Sequence, residues 1–462
     1  MTNFRGILDR LYRSTVVWSW LFNGLQLASG LVLLPLLALQ LSKPDLGMYI
    51  VFLNLGALVA VVDFGFAVSI ERNVSYAMGG AKELKAEGIL PSETHDPNYP
   101  LLWQLLRTTQ SLYRYLSLAA ILLMGIFGTF MVGLRVQETD HPTITWWAWG
   151  IALVASVWEI YAGWWNVFLR GTNNILLAAR LSVLSYGLRL LIAAGLLIAG
   201  GGLLSLPVAT LFGNLLQRYL SRRACLRLLR DKPIDRENLP AANLLAVLWP
   251  GSWRVGLQYV SGYLSSNASI FICTALFGLD ATAKYGLSVR IISIIQGMSV
   301  VWISVKWPLI GQLRARNDFE NLRKIFRPRL WLHLLTFAFL AALAVPLSPV
   351  LLKWIGSDKE LLPGVWLAML AVNAFFETHY SVWGTLIFMG NRMPYLWAAV
   401  ITNAAGLALS LVLINHTELG LASLVIAPLV AGILFNYWRW PMEGAKSLQT
   451  TWFRFMFFPV KI

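Results

Sequence analysis

Apolar stretches of about twenty residues, each long enough to cross a bilayer as a helix, recur along the whole chain. Twelve are read from the sequence, near 15–40, 47–69, 113–134, 146–168, 181–200, 203–220, 251–277, 285–309, 330–352, 363–389, 395–414 and 420–440. Only 13% of the residues are charged, against about a quarter in a soluble domain. The expected fold class is therefore an all-α polytopic membrane protein with about 12 transmembrane helices. The first span follows Arg5, Arg10 and Arg13, as the core of a secretory signal does. Its apolar region is too long for one, so it is read as a retained helix. The two cysteines, Cys225 in a basic loop and Cys273 inside a span, give no disulfide framework.

A formal charge of +15 in a polytopic chain reports topology before it reports nucleic acid. With the N-terminus inside, the outer loops hold only Lys43, Arg135, Lys284, Lys353 and Lys359. Arg189, Arg254, Arg290 and Lys306 fall within spans, and the rest of the 37 basic residues fall on the inner side, with Arg114, Arg218 and Arg439 at the inner ends of spans. Both termini are expected in the cytoplasm. The largest inner loops are 70–112 and 218–243, the second carrying Pro233, Pro240 and a run of basic residues at the midpoint of the chain.

"GLQLASG" at 24–30 returns as "GLQYVSG" at 256–262. With six spans before the midpoint loop and six after it, both copies start inside, which implies a parallel internal repeat. Gln26 and Gln258 then correspond on the first helix of each half. The expected organisation is an N-terminal six-helix lobe (1–220), a basic cytoplasmic linker (221–243), a C-terminal six-helix lobe (244–440) and a cytoplasmic tail (441–462).

"LLPLLALQLSKPDLGMY", "VVDFGF" and "ER" at 33–72, with "WPGSWRVGLQ", "AKYGLSVRI" and "KWPLIGQLRAR" at 249–316, resemble the polysaccharide transporters of the multidrug, oligosaccharidyl-lipid and polysaccharide exporter superfamily. The resemblance implies two lobes forming a V around a central cavity and working by alternating access. It also implies a polyprenyl-pyrophosphate-linked oligosaccharide as cargo, flipped across the bacterial inner membrane for surface polysaccharide synthesis. A polymerase and glycosyltransferases are the partners this implies, besides the phospholipid bilayer. The lipid II flippases of the same superfamily usually have fourteen spans, which sets them apart from this chain.

Charges inside spans cost about 2.5–3.5 kcal/mol each, so they face a cavity or a partner. Arg254, Gln258, Ser261, Ser265 and Ser269 form one polar stripe; Arg290, Ser293 and Gln296 form a second; Ser182, Ser185 and Arg189 form a third. With a pyrophosphate-linked cargo, Arg290, Arg254, Arg189, Gln26 and Gln258 are the cavity candidates, because a guanidinium matches phosphate bidentately. The other reading is that Arg254 and Lys306 snorkel to the interface and that Arg189 and Arg290 pair with Asp63, Glu159 or Glu377. Those three carboxylates are the candidates for coupling to a proton or sodium gradient. Glu377 leads, beside Asn373 and Ser381 on one face of its helix, with His379 turned away; its alternative is a buried ion pair. Asp63 also reads as a helix-terminal feature beside Gly65.

There is no G-x-x-x-x-G-K-[ST], H-E-x-x-H, C-x-x-C or G-x-S-x-G motif, so no cofactor, metal or enzymatic chemistry is expected. Two alternatives to the flippase stand. A multidrug and toxin extrusion exporter moves cationic drugs through an acidic or aromatic cavity, whereas the spans here hold four cations to three anions. A polytopic polysaccharide polymerase or glycosyltransferase carries a large outer loop or an acidic catalytic motif, and this chain has neither.

Overall fold

The computed structural model describes residue 12 and residues 15–84, 96–230, 244–315, 317–390 and 393–458. The basic start with Arg5, Arg10 and Arg13, the centre of the 70–112 loop and residues 231–243 of the expected linker lie outside the described residues. All regular structure among them is helical, and the chain forms two compact units, 1–263 and 264–462.

In the N-terminal unit, α1 is Thr15–Gln40, α2 Lys43–Gly56, α3 Leu58–Asp63, α4 Phe66–Met78, α5 Tyr99–Leu123, α6 Thr129–Arg135, α7 Pro142–Gly171, α8 Ile175–Ile198 and α9 Ser205–Leu229; most of α10, Leu244–Ser266, packs with them. Local chemistry sets the starts. Ser42 accepts from the Asp45 amide at 3.3 Å with Pro44 in the first turn of α2, and Asn98 accepts from Leu101 at 3.1 Å with Pro100 in the first turn of α5, both helix caps of the expected kind. The C-terminal unit continues with α11 Ala268–Ser304, α12 Trp307–Ala315, α13 Phe319–Trp354, α14 Gly364–Phe388, α15 Leu396–His416, α16 Ser423–Leu434, α17 Asn436–Ser447 and α18 Trp452–Phe457.

Each of the twelve expected spans falls on helical chain, though 47–69 is divided among α2, α3 and α4 and 420–440 between α16 and α17. Seven continuous helical stretches among the described residues are long and apolar enough to cross a membrane, the longest running Leu244–Ser304 through two of the spans. The helices α7 and α14 have the length, 30 and 25 residues, but their tryptophans and polar residues lower the mean hydropathy. Two span boundaries need correction. The stripe expected from Arg254 to Ser269 is interrupted at Asn267, where φ is −122°, and α11 is broken again at Gly278 with φ 83° and ψ −176°. Ser269 therefore belongs to a different helical segment from Arg254. The side chain of Ser265 lies outside the described residues.

The N-terminal core joins α4, α5 and α7 through Phe66, Ile70, Val74, Leu102, Leu105 and Phe168. A close helix contact forms at "DFG". Phe64 and Gly65 both adopt left-handed backbone, φ 47° and 77°, which ends α3 and re-aims α4. The α10 helix lies directly on this break: a Cβ on Gly65 would stand 2.7 Å from the Ser252 carbonyl, and one on Gly256 would stand 2.5 Å from the Phe64 ring. Glycine at both positions lets the helices touch. Gly65→Ala is expected to cost about 2 kcal/mol from the left-handed backbone and the contact together. That lowers the melting temperature of the unit by roughly 4–8 °C.

A native reporter for that measurement exists. Cys225, on the last turns of α9, is buried and donates to the Trp165 carbonyl at 3.3 Å; burial pushes its thiol up to about 12. In a Cys273→Ser background it should stay silent to a thiol-reactive dye at neutral pH until the unit unfolds.

Candidate functional site

The N-terminal unit encloses a cavity of about 540 Å³ reached by side chains from nearly all of its helices. It gathers four residues expected from sequence, Gln26, Asp63, Glu159 and Arg189, and adds Tyr113, Arg170, Asn214, Arg218 and Tyr259. Arg290, Arg254 and Gln258 are exposed and line neither this cavity nor the smaller one described below. The Arg254 guanidinium lies 5.6 Å from the Trp253 ring centre.

Asp63 owes its place to the helix break. As the last residue of α3 it turns back over the start of α4, where one carboxylate oxygen accepts from the Ala67 amide at 3.2 Å. The other accepts from the Tyr113 hydroxyl of α5 at 2.5 Å. It is thus both the helix-terminal feature and a cavity wall, fixed from two helices.

Glu159, on α7, faces Arg218, on α9. Arg218 is only 8% exposed; it approaches a Glu159 oxygen at 4.0 Å and donates to the Gly163 carbonyl at 2.9 Å. Gly163 makes room for it, since a Cβ there would meet the guanidinium at 3.1 Å. Asn214, one turn earlier on α9, donates to the other Glu159 oxygen at 3.1 Å. Arg218 was expected in the inner loop, because hydropathy falls after residue 217. The helix instead continues to Leu229, and "NLLQR" puts Asn214, Gln217 and Arg218 on one polar face. That spacing was the available signal.

On the wall of the same cavity, Gln217 and Asn166 both donate to Ser182 at 3.2 Å, and the Phe22 and Tyr186 rings meet edge to face at 5.7 Å. The Arg170 charge is taken up by Glu71 at 2.7 Å. Arg189 lies 5.8 Å from the Tyr186 ring centre and makes no ion pair among the described residues.

In the C-terminal unit, Glu377 lines a polar pocket of about 20 Å³, the space of one water, with Asn373, Asn403, Asn436 and Tyr437. Tyr437 donates to Asn373 at 2.6 Å. The second expected stripe does not line this pocket. Gln296 crosses to α14, donating to Thr378 at 2.9 Å, and Ser293 bonds back to the Val289 carbonyl. His379 is buried near Trp383 and Trp452. Lys306 sits in the break between α11 and α12.

Residues 255–413 match the MatE family profile, and no curated protein matches the chain. The fold is similar to the inward-facing form of a multidrug resistance MATE family transporter of the MOP superfamily, at TM-score 0.63 and 15% identity over 92% of this chain and 99% of that one. An outward-facing form is similar at 0.59 and 16%, over 96% and 99%. The MATE multidrug transporter DinF-BH, in complex with R6G, is similar at 0.61 and 15%, over 92% and 93%. The profile match is confined to residues 255–413, and the likeness to the solved structures extends over nearly the whole chain and shows a shared fold.

These findings correct the branch and the function read from sequence. The polysaccharide flippase reading is overturned, since both the family profile and the neighbouring structures are those of MATE-type exporters. The lipid-linked oligosaccharide, polymerase and glycosyltransferase partners belong to that reading and are not carried further. The physical reason for the misreading lies in the charges. Counting intramembrane arginines against carboxylates favoured an anionic cargo, but the cavity also contains Arg218 and Arg170, each matched with a carboxylate.

Proposed function

We propose that the protein is a MATE-type secondary exporter of amphipathic organic molecules, driven by a proton or sodium gradient across a bacterial membrane, with both termini in the cytoplasm. The observation that supports it most is the MATE fold over more than nine tenths of the chain. The N-terminal cavity adds aromatic walls from Phe22, Tyr186 and Tyr259 and a carboxylate, Asp63, held ready to exchange a proton or a small cation. Cargo binding and ion binding in one cavity are coupled when each changes the affinity for the other.

Expression in an efflux-deficient bacterial strain tests the proposal. Cells carrying the protein should accumulate several-fold less rhodamine 6G than cells carrying the empty vector. An ionophore that collapses the driving gradient should abolish the difference. Equal accumulation, with the protein present in the membrane, contradicts exporter function for such cargo.

A further inference from the structure

We infer that Arg189 and Ser185 form an anion-recognising subsite in the cavity that also holds Asp63, so that the favoured cargo is amphoteric, carrying a carboxylate as well as a cationic group. The inference rests on the exporter reading and specifies its substrate class. Two of the three arginines in the cavity have their charge matched at once, Arg170 by Glu71 at 2.7 Å and Arg218 by Glu159. Arg189 has no such carboxylate among the described residues. A guanidinium left in a helical wall within the membrane is costly unless hydrated, paired or used.

Its surroundings suit use. Gly213 of α9 lies against its stem, where a Cβ would come within 3.0 Å of the Arg189 Cβ, so the stem is held between two helices. One turn earlier on α8, Ser185 is 3% exposed, lines the same cavity, and its hydroxyl has no hydrogen-bond partner among the described residues. A buried hydroxyl without a partner is a group awaiting one. An arginine fork and a hydroxyl at positions i and i−4 offer three donors on one helix face, the set that holds a carboxylate. The rings of Phe22, Tyr186 and Tyr259 line the same cavity and suit the cationic group, while Asp63, anchored by Tyr113 and the Ala67 amide, is left for the coupling ion. A purely cationic cargo would use the aromatic rings but would be repelled by Arg189.

Two dyes of one scaffold separate these cases. Rhodamine B carries a free carboxylate beside its cationic xanthene, whereas in rhodamine 6G that carboxylate is esterified. Uptake of each by inside-out vesicles is measured for the wild type, Arg189→Gln and Arg189→Lys, alongside protein amount and melting temperature. Arg189→Gln should shift the rhodamine B to rhodamine 6G transport ratio about 10-fold or more toward rhodamine 6G, the size of one charged hydrogen-bonded contact. Arg189→Lys, which keeps the charge but loses the fork, should shift it less in the same direction. An unchanged ratio, whether through equal losses or none, overturns the inference, and if Arg189→Gln does not accumulate the ratio is read from Arg189→Lys. Wild type that moves rhodamine 6G but not rhodamine B overturns it while leaving the exporter reading intact. Wild type that moves neither removes both.

Discussion

Glu159→Gln is expected to destabilise the N-terminal unit by about 3 kcal/mol, because it strands a buried arginine rather than an exposed one. The two partners are unequal: the Arg218 side chain is 9% exposed and that of Glu159 is 41% exposed. Removing the arginine would leave a carboxylate that water can reach, whereas removing the carboxylate leaves a guanidinium held inside the protein with the Gly163 carbonyl as its close partner. The expected fall in melting temperature, read from the exposure of Cys225 in the Cys273→Ser background, is roughly 6–12 °C. Glu159→Gln/Arg218→Met should recover much of it, since replacing a buried pair by an apolar side chain of similar volume is often neutral. A single mutant that melts like wild type would show that Glu159 does not hold Arg218 in place.

Asp63→Asn is expected to leave the fold intact and to remove coupling. An asparagine oxygen still accepts from the Ala67 amide, and its NH2 can donate to the Tyr113 hydroxyl oxygen in place of accepting from it, so the α3–α4 break keeps contacts to both helices. What is lost is the charge that a proton or cation can neutralise. Gradient-driven accumulation of rhodamine 6G should fall roughly 5- to 150-fold, the span of ordinary coupling between two ligands. Dye binding measured without a gradient should change far less. Loss of both together, at normal protein level, would make Asp63 a cargo contact rather than the coupling group.

The long apolar runs made the spans legible, because a helix that crosses lipid must satisfy its backbone internally and shows its length in the sequence. The Ser182, Ser185 and Arg189 stripe was legible as one face because helical periodicity alone sets which side chains share it, and all three line the cavity. Asp63 was read as a helix end, and its hydrogen bond to Tyr113 was not visible, because the partner lies fifty residues away in a different helix. Arg218 was misplaced for a related reason. Hydropathy marks where a chain becomes polar, not where a helix ends, and α9 runs on past Arg218 because Gly163 and Glu159 of α7 receive the guanidinium. The breaks at Asn267 and Gly278 left no pattern that distinguishes them from the many other asparagines and glycines of the chain.

The central claim is that an ion gradient acting through Asp63 drives organic cargo across the membrane. Purified protein in liposomes, given a pH gradient or a sodium gradient in turn, tests it with rhodamine 6G as the probe. Uphill dye movement under at least one of the two gradients is expected for the wild type and none for Asp63→Asn. Dye movement by Asp63→Asn at the wild-type rate, or no movement by the wild type under either gradient, would contradict it.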